Sequence, residues 1–236
     1  MKKLWIIIAC ALFATAPNIQ AQEHQVSFDV DAVSRYIWRG FDLSDNNPAL
    51  QPSLTYTHGE SGIWVNAWLS MQLKDREKVA TPNEFDITIG WDKSLNDLVG
   101  ITLGYIQYTF PDAVSGVDTH SEEIFAGLVT DNLGINPYGT LFVDFGALEG
   151  LYFNAGVAIP IGRELAVPLT LDVSMGMQNY DAVDKGGMSD LNIGITTSLG
   201  TEQISFHPGI YWTITGMDEV NEDDEIWVKL GVSFSN

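Results

Sequence analysis

Apolar and polar residues alternate with a period of two from Val26 almost to the end of the chain. That is the spacing of strands whose two faces meet different surroundings. In the first run Val26, Phe28, Val30, Ala32, Tyr36 and Trp38 fall on one face, and Ser27, Asp29, Asp31, Arg35 and Arg39 on the other. Leu50, Leu54 and Tyr56 alternate with Gln51, Ser53, Thr55 and Thr57. Ile63, Val65, Ala67, Leu69 and Met71 alternate with Asn66, Ser70 and Gln72, with Trp64 and Trp68 on that second, polar face. Phe85, Ile87, Ile89 and Trp91 alternate with Glu84, Asp86, Thr88 and Asp92. Further on, Leu169, Leu171, Val173, Met175 and Met177 alternate with Thr170, Asp172, Ser174 and Gln178, and Leu191, Ile193 and Ile195 with Asp190, Asn192 and Thr196. The last run sets Ile226, Val228, Leu230, Val232 and Phe234 against Lys229, Gly231 and Ser233. Weaker strands fit around 98–110, 123–131, 138–145, 151–159 and 204–215, and no convincing helical period appears outside the first residues.

About twelve strands result, mostly long enough to cross a bilayer at the usual tilt, for which about 9–11 residues suffice. The connections alternate in length. Segments 40–48, 74–83, 111–120, 181–187 and 216–224 are long and polar, whereas 59–62, 94–97 and 200–203 are tight turns of Gly, Asn, Asp and Ser. Long loops at one end and short turns at the other are what a membrane barrel requires, and an even strand number returns both termini to the same side. Two connections fit less well: 146–149 is short for an outer loop and 160–166 is long for a turn.

Alternation alone does not say which face is outside. Three features favour an apolar face against lipid. The opposite face is rich in Gly, small polar residues and acids. Aromatic residues gather toward strand ends, at Trp38, Tyr56, Trp91, Phe110, Tyr138, Tyr180, Trp212 and Phe234, as an interfacial girdle would place them. The chain also ends in Lys229-x-Gly231-x-x-Phe234, which resembles the C-terminal assembly signal of outer-membrane barrels, with Asn236 where an aromatic is usual. The expected fold class is therefore all-β, a single antiparallel transmembrane β-barrel. Its expected partners are outer-membrane lipid and, through the last strand, the barrel-assembly machinery.

The N-terminus has the form of a secretory signal peptide: Lys2 and Lys3, then an apolar run over 4–13, then a polar stretch ending at Ala21. A lipobox-like reading of Ile8-Ala9-Cys10 is the alternative. Residues 1–21 are expected to be removed and 22–236 to form the barrel, and the single cysteine would leave with the leader. The 236-residue chain carries 11 basic and 31 acidic residues, a formal net charge of −20. The leader holds two lysines and no acid, so the mature chain is more acidic still. Such a balance argues against nucleic-acid binding, which needs a basic surface. No apolar run beyond the leader is long enough for a transmembrane helix.

The block Arg35-Tyr36-Ile37-Trp38-Arg39-Gly40, continuing through Ser44-Asp45, Pro48-Ala49-Leu50-Gln51 and Ser53-Leu54-Thr55-Tyr56, resembles the TorF family of porin-like bacterial proteins, also described as a conserved family of unknown function. The later order also resembles that family: Glu84-Phe85-Asp86, the Gly104-Tyr105 to Tyr108 strand ending at Phe110-Pro111, and Glu123 to Gly127. The resemblance implies an outer-membrane barrel with a channel role, and it supplies no substrate. Physically, Arg35 and Arg39 share a face with Asp29 and Asp31, and half-buried arginines need carboxylate partners. The block reads either as an architectural clasp at the rim or as an eyelet whose opposed charges set ion selectivity.

Twelve strands lie between the eight whose interior side chains can fill and the sixteen that leave an open channel. The leading expectation is a passage for small solutes or ions, with Asp29, Asp31, Glu84, Asp86, Asp92, Glu123, Asp144, Asp172 and Asp190 on the inner face against Arg35, Arg39 and Lys229, and hence a preference for cations. A plugged barrel with a structural or recognition role is the alternative. A membrane-embedded hydrolase is more remote: Ser205 and His207 share a strand face, but a nucleophile and base also need an orienting third group. The acidic loop 219–225 lacks the spacing of a dedicated calcium loop. No phosphate-binding glycine loop, zinc-ligand spacing or cofactor fingerprint is present, so no cofactor, metal or catalytic residue is expected.

Overall fold

The structure is a computed structural model and describes residues 24–74, 83–113, 118–131, 133–162, 167–181 and 183–236. The expected leader and its cleavage point lie outside these residues. Twelve long strands follow one another: β1 (His24–Val33), β2 (Ala49–His58), β3 (Ile63–Gln72), β4 (Glu84–Ser94), β5 (Val99–Thr109), β6 (His120–Thr130), β7 (Asn136–Asp144), β8 (Gly150–Ile161), β9 (Leu169–Gln178), β10 (Gly187–Thr197), β11 (Ile204–Thr215) and β12 (Glu225–Ser235). Each pairs antiparallel with its sequence neighbours, and β1 pairs with β12, so the sheet closes on itself with no free edge. Closure satisfies every ladder hydrogen bond within the sheet, which a membrane demands of any strand that crosses it.

The seam between β1 and β12 is held beyond the ladder. The Asn236 side-chain oxygen accepts a hydrogen bond from the Val26 amide at 2.8 Å, and Phe28 stacks on Phe234 at 6.5 Å between ring centroids. The terminal asparagine thus continues the closing strand where an aromatic was expected.

Burial is inverted relative to a water-soluble protein. The large apolar side chains of alternate positions face outward, with Leu128 55% and Ile226 65% exposed, whereas Glu123 and Asp190 are fully buried. The polar face is the inner one, as the alternation predicts for a barrel whose apolar face meets lipid. The two tryptophans out of phase, Trp64 and Trp68, lie on that inner face: Trp64 packs on Phe125 and Trp68 on Tyr36.

Glycine makes room for those inner rings. A methyl group at Gly90 would overlap Trp64, at Gly104 Phe125, at Gly156 Tyr138, and at Gly176 Tyr152. Each ring lies against bare backbone on the neighbouring strand, in the manner of an aromatic packed over a sheet glycine. The bulk of the rings is thereby kept against the wall.

Three sequence expectations are corrected. The first strand ends at Val33 rather than running to Trp38 and Arg39. Trp38, Tyr138 and Tyr180 are not girdle residues: Trp38 and Tyr180 stack on each other inside the mouth, and the Tyr138 hydroxyl bonds inward to Asp172. Pro160 and Ile161 belong to β8 and β9 opens at Leu169, so the connection begins two residues later than the expected 160–166; residues 163–166 lie outside the described ones.

Candidate functional site

The mouth at the long-loop end is occupied by the β1–β2 connection, residues 34–48. Ile37–Trp38 and Phe41–Asp42 pair as a miniature hairpin, in register Trp38↔Phe41. Its two turn residues, Arg39 and Gly40, have φ of 53° and 91°, the positive pair that a two-residue type I′ turn requires. Glycine accepts that geometry freely; arginine does so at a cost of roughly 1–2 kcal/mol, which must be offset by what its side chain meets.

The return limb is tied down locally. Asp42 accepts from the Ser44 amide at 2.9 Å and the Asn46 amide at 2.7 Å, the Ser44 hydroxyl accepts from the Tyr36 amide at 2.8 Å, and Gln72 of β3 donates to the Ser44 carbonyl at 2.8 Å. The Ser44-Asp45 and Pro48-Ala49 parts of the block are thus a clasp that directs the hairpin inward.

The hairpin crosses the bore. In a ring of twelve strands β7 stands opposite β1, and Arg39 at the tip reaches that side. Its guanidinium donates to both carboxylate oxygens of Glu123 on β6, at 2.6 and 2.8 Å. It lies 4.3 Å from the Phe142 ring centre on β7, 4.5 Å from Tyr152 on β8 and 4.4 Å from its own neighbour Trp38, all within cation–π reach. Arg39 also donates to the Tyr180 hydroxyl, and Tyr108 donates to Glu123 at 2.6 Å. Gly40 abuts Val220 of the β11–β12 loop and Ser189 and Asp190 of β10.

Both charges are removed from water, with the Arg39 side chain 7% exposed. Burial by itself would lower the Arg39 pKa; the hydrogen bonds to Glu123 and the surrounding negative charge outweigh it, and the net shift is upward. The guanidinium therefore stays charged. Tyr36 is held protonated well above its usual range, first by burial and then by the charges of Glu84 and Asp86.

The remaining candidate residues divide by height. Glu84, Asp86, Asp144, Asp190 and Glu225 are buried at the loop end beside Glu123. Asp144 is spent on architecture: its carboxylate accepts from the amides of Gly146, Leu148 and Glu149 and from Ser121, at 2.8 to 3.2 Å. This explains how so short an outer connection closes. Asp190 accepts from Ser189, Asn192 and Tyr152. Arg35 pairs with Glu225, so the two arginines of the block find acids on β12 and β6 rather than Asp29 and Asp31. Asp29 instead accepts from Ser233, and Asp31 from Lys229 at 3.3 Å. Toward the turn end, Asp92 accepts from Thr102 at 2.7 Å and Asp172 from Tyr138 at 2.9 and 3.0 Å.

The aromatic residues around the Arg39–Glu123 pair (Phe142, Tyr152 and Tyr180 on the arginine, Tyr108 on the carboxylate) are not legible in the sequence. These residues come from separate strands and one loop, and only barrel closure gathers them. A faint signal exists: Tyr108 and Phe142 fall on polar-face positions of weakly alternating strands. Ser205 and His207 do meet, Oγ to Nε2 at 2.8 Å. Among the described residues no group of three or more His, Cys, Asp or Glu side chains is arranged to hold a metal.

The family model described as a bacterial protein of unknown function (Gcw_chp) matches residues 18–230. No curated protein matches the sequence. Among solved structures, the fold is similar to the KdgM porin, at TM-score 0.61 and 7% identity, covering 88% of this chain and 98% of that one. It is also similar to the NanC porin, at 0.59 and 15% with coverage of 88% and 98%. A third is an outer membrane channel from Pseudomonas putida F1, at 0.53 and 10% with coverage of 94% and 100%. At such identities the likeness is one of fold: that of outer-membrane β-barrels.

Proposed function

This chain belongs to the Gcw_chp family of bacterial proteins, and from its barrel we propose that it is an outer-membrane, porin-like channel for passive passage of small solutes or ions, with a preference for cations. In this reading the leader is cleaved, the short turns face the periplasm and the long loops face outward. The observation that carries it is the inverted burial: a closed twelve-stranded wall with a polar, acid-rich inner face and an apolar outer one. Similarity of fold to porins supports it, and so does the TorF-like block, whose conspicuous residues form the hairpin in the bore. The acids of the inner face outnumber Arg35, Arg39 and Lys229, and charge of one sign along a low-dielectric wall attracts counter-ions.

The hairpin across the mouth favours a second reading, a plugged barrel whose role is structural or recognitive. Single-channel recording in a planar bilayer under a salt gradient separates the two. Stepwise conductance with a cation-selective reversal potential supports the channel. A folded, inserted and silent protein supports the plug.

A further inference from the structure

Below the hairpin, in the half of the bore nearer the short turns, the inner faces of β9 to β12 border an open recess of about 450 Å³ whose lining includes Thr170, Thr196, Ser198, His207, Tyr211 and Lys229. That volume is within the about 300–1,000 Å³ of small-molecule sites. Part of its lining is a row in register: Thr170 pairs with Thr196, Thr196 with Gly209, and Gly209 with Lys229. Gly209 has no side chain, so the row is interrupted between a hydroxyl and an ammonium group. The Tyr211 ring lies flat over the bare backbone of Gly194 and Gly209, and Trp227 stacks on it at 4.1 Å. The ring thus fills the gap over Gly209 and forms one side of the recess.

The charge here differs from the rest of the bore. Lys229 is paired with Asp31 at 3.3 Å, so the two cancel. Asp172, the next inward residue after Thr170 on β9, is engaged by the Tyr138 hydroxyl. Asp29 is engaged by Ser233. What the cavity offers a solute is a set of hydroxyls, an imidazole already bonded to Ser205, a phenol and a self-neutralised ion pair. Such groups both donate and accept, and a charged pair makes stronger hydrogen bonds than neutral groups do.

We propose that this recess is a binding site for a neutral polyhydroxylated solute of one or two sugar rings, held by Thr170, Thr196, Ser198 and the Asp31–Lys229 pair. A solute with many hydroxyls satisfies donors and acceptors together, and a neutral one leaves the ion pair intact. The proposal names a solute class for the channel and rests on that reading for the solute's entry; binding itself does not require conduction.

The test is equilibrium dialysis of maltose, glucosamine and glucuronate against the full chain purified in detergent. Maltose is expected to bind at one site per barrel and to be preferred over both charged sugars. Thr196→Val, which keeps the volume and removes the hydroxyl, is expected to weaken maltose roughly five- to tenfold. Lys229→Met leaves Asp31 unpaired and is expected to move preference toward glucosamine; Asp31→Asn is expected to move it toward glucuronate. No saturable maltose binding, wild-type preference for glucosamine, or preferences unmoved by both charge variants would each overturn the assignment. Saturable maltose binding by a protein silent in bilayers would remove the channel reading and keep this one; conduction without maltose binding would do the reverse.

Discussion

Arg39 and Glu123 lie 84 positions apart and meet through two parallel hydrogen bonds of 2.6 and 2.8 Å inside the barrel mouth. The contact joins the tip of a hairpin that starts at β1 to a strand near the opposite wall. A bidentate pair of this kind fixes orientation as well as distance, so a flexible connection is turned into a crossbar. Removing one partner of a buried pair leaves the other charge uncompensated and costs roughly 3–5 kcal/mol.

Arg39→Ala and Glu123→Gln are therefore expected to release the hairpin while the barrel ladder stays closed. The amides of residues 37–42 should exchange several hundred-fold faster, following from that energy, and those of β1–β12 should not change. Hydrogen exchange read by mass spectrometry checks this. If the channel reading holds, unitary conductance rises in the same variants.

Gly40→Val attacks the same hairpin from its backbone. At φ 91° a β-branched residue is strained, and its Cβ would stand 2.8 Å from Val220 Cγ1 and 3.1 Å from the Ser189 carbonyl. The expected outcome is faster exchange over the hairpin with little change in the barrel's melting temperature. Gly134, also at positive φ but with open space around it, is the control: Gly134→Ala should cost about 1 kcal/mol and leave the hairpin undisturbed.

Gly104→Ala would collide with the Phe125 ring lying over it. The Ile89 carbonyl on the wall side, 2.8 Å from the new methyl, is backbone and cannot yield, so the ring should swing toward the lumen and narrow the bore. A lower unitary conductance with unchanged heat-modifiable migration on gels is the expected result. Loss of folding instead would mean the ring has no room to move.

Asp144 and Asp172 should respond differently to neutralisation, although both are acids of the inner face. Asp172 keeps a partly open position and accepts from a phenol; Asp172→Asn should reduce cation selectivity, seen as a smaller reversal potential. Asp144 is consumed by three backbone amides; Asp144→Ala should leave selectivity unchanged and loosen the loop 145–149 at a cost of about 1–3 kcal/mol. Proteolytic nicking within that loop would report it.

Asn236→Ala removes the side-chain bond to Val26 at the seam. About 1 kcal/mol of seam stability is expected to go, and it should show as faster unfolding more than as slower folding into lipid vesicles, because the seam is the last contact a meander can make.

The sequence by itself determined the strands, their number, the polarity of the wall and the alternation of loop and turn, because period two is a local property and each strand shows its own. It also marked Arg35, Arg39 and their block as unusual, since two arginines in an acid-rich chain need carboxylate partners. Only the tertiary structure decided which carboxylates. Alternation carried straight on through Tyr36 and Trp38, and nothing local says that β1 stops at Val33 so that the continuation folds into the bore. That choice depends on Glu123, Phe142, Tyr152 and Tyr180, which are distant in sequence and are brought together when the twelfth strand closes on the first. The same closure sets Gly209 between Thr196 and Lys229, and an interruption shared by three strands cannot be read from any one of them.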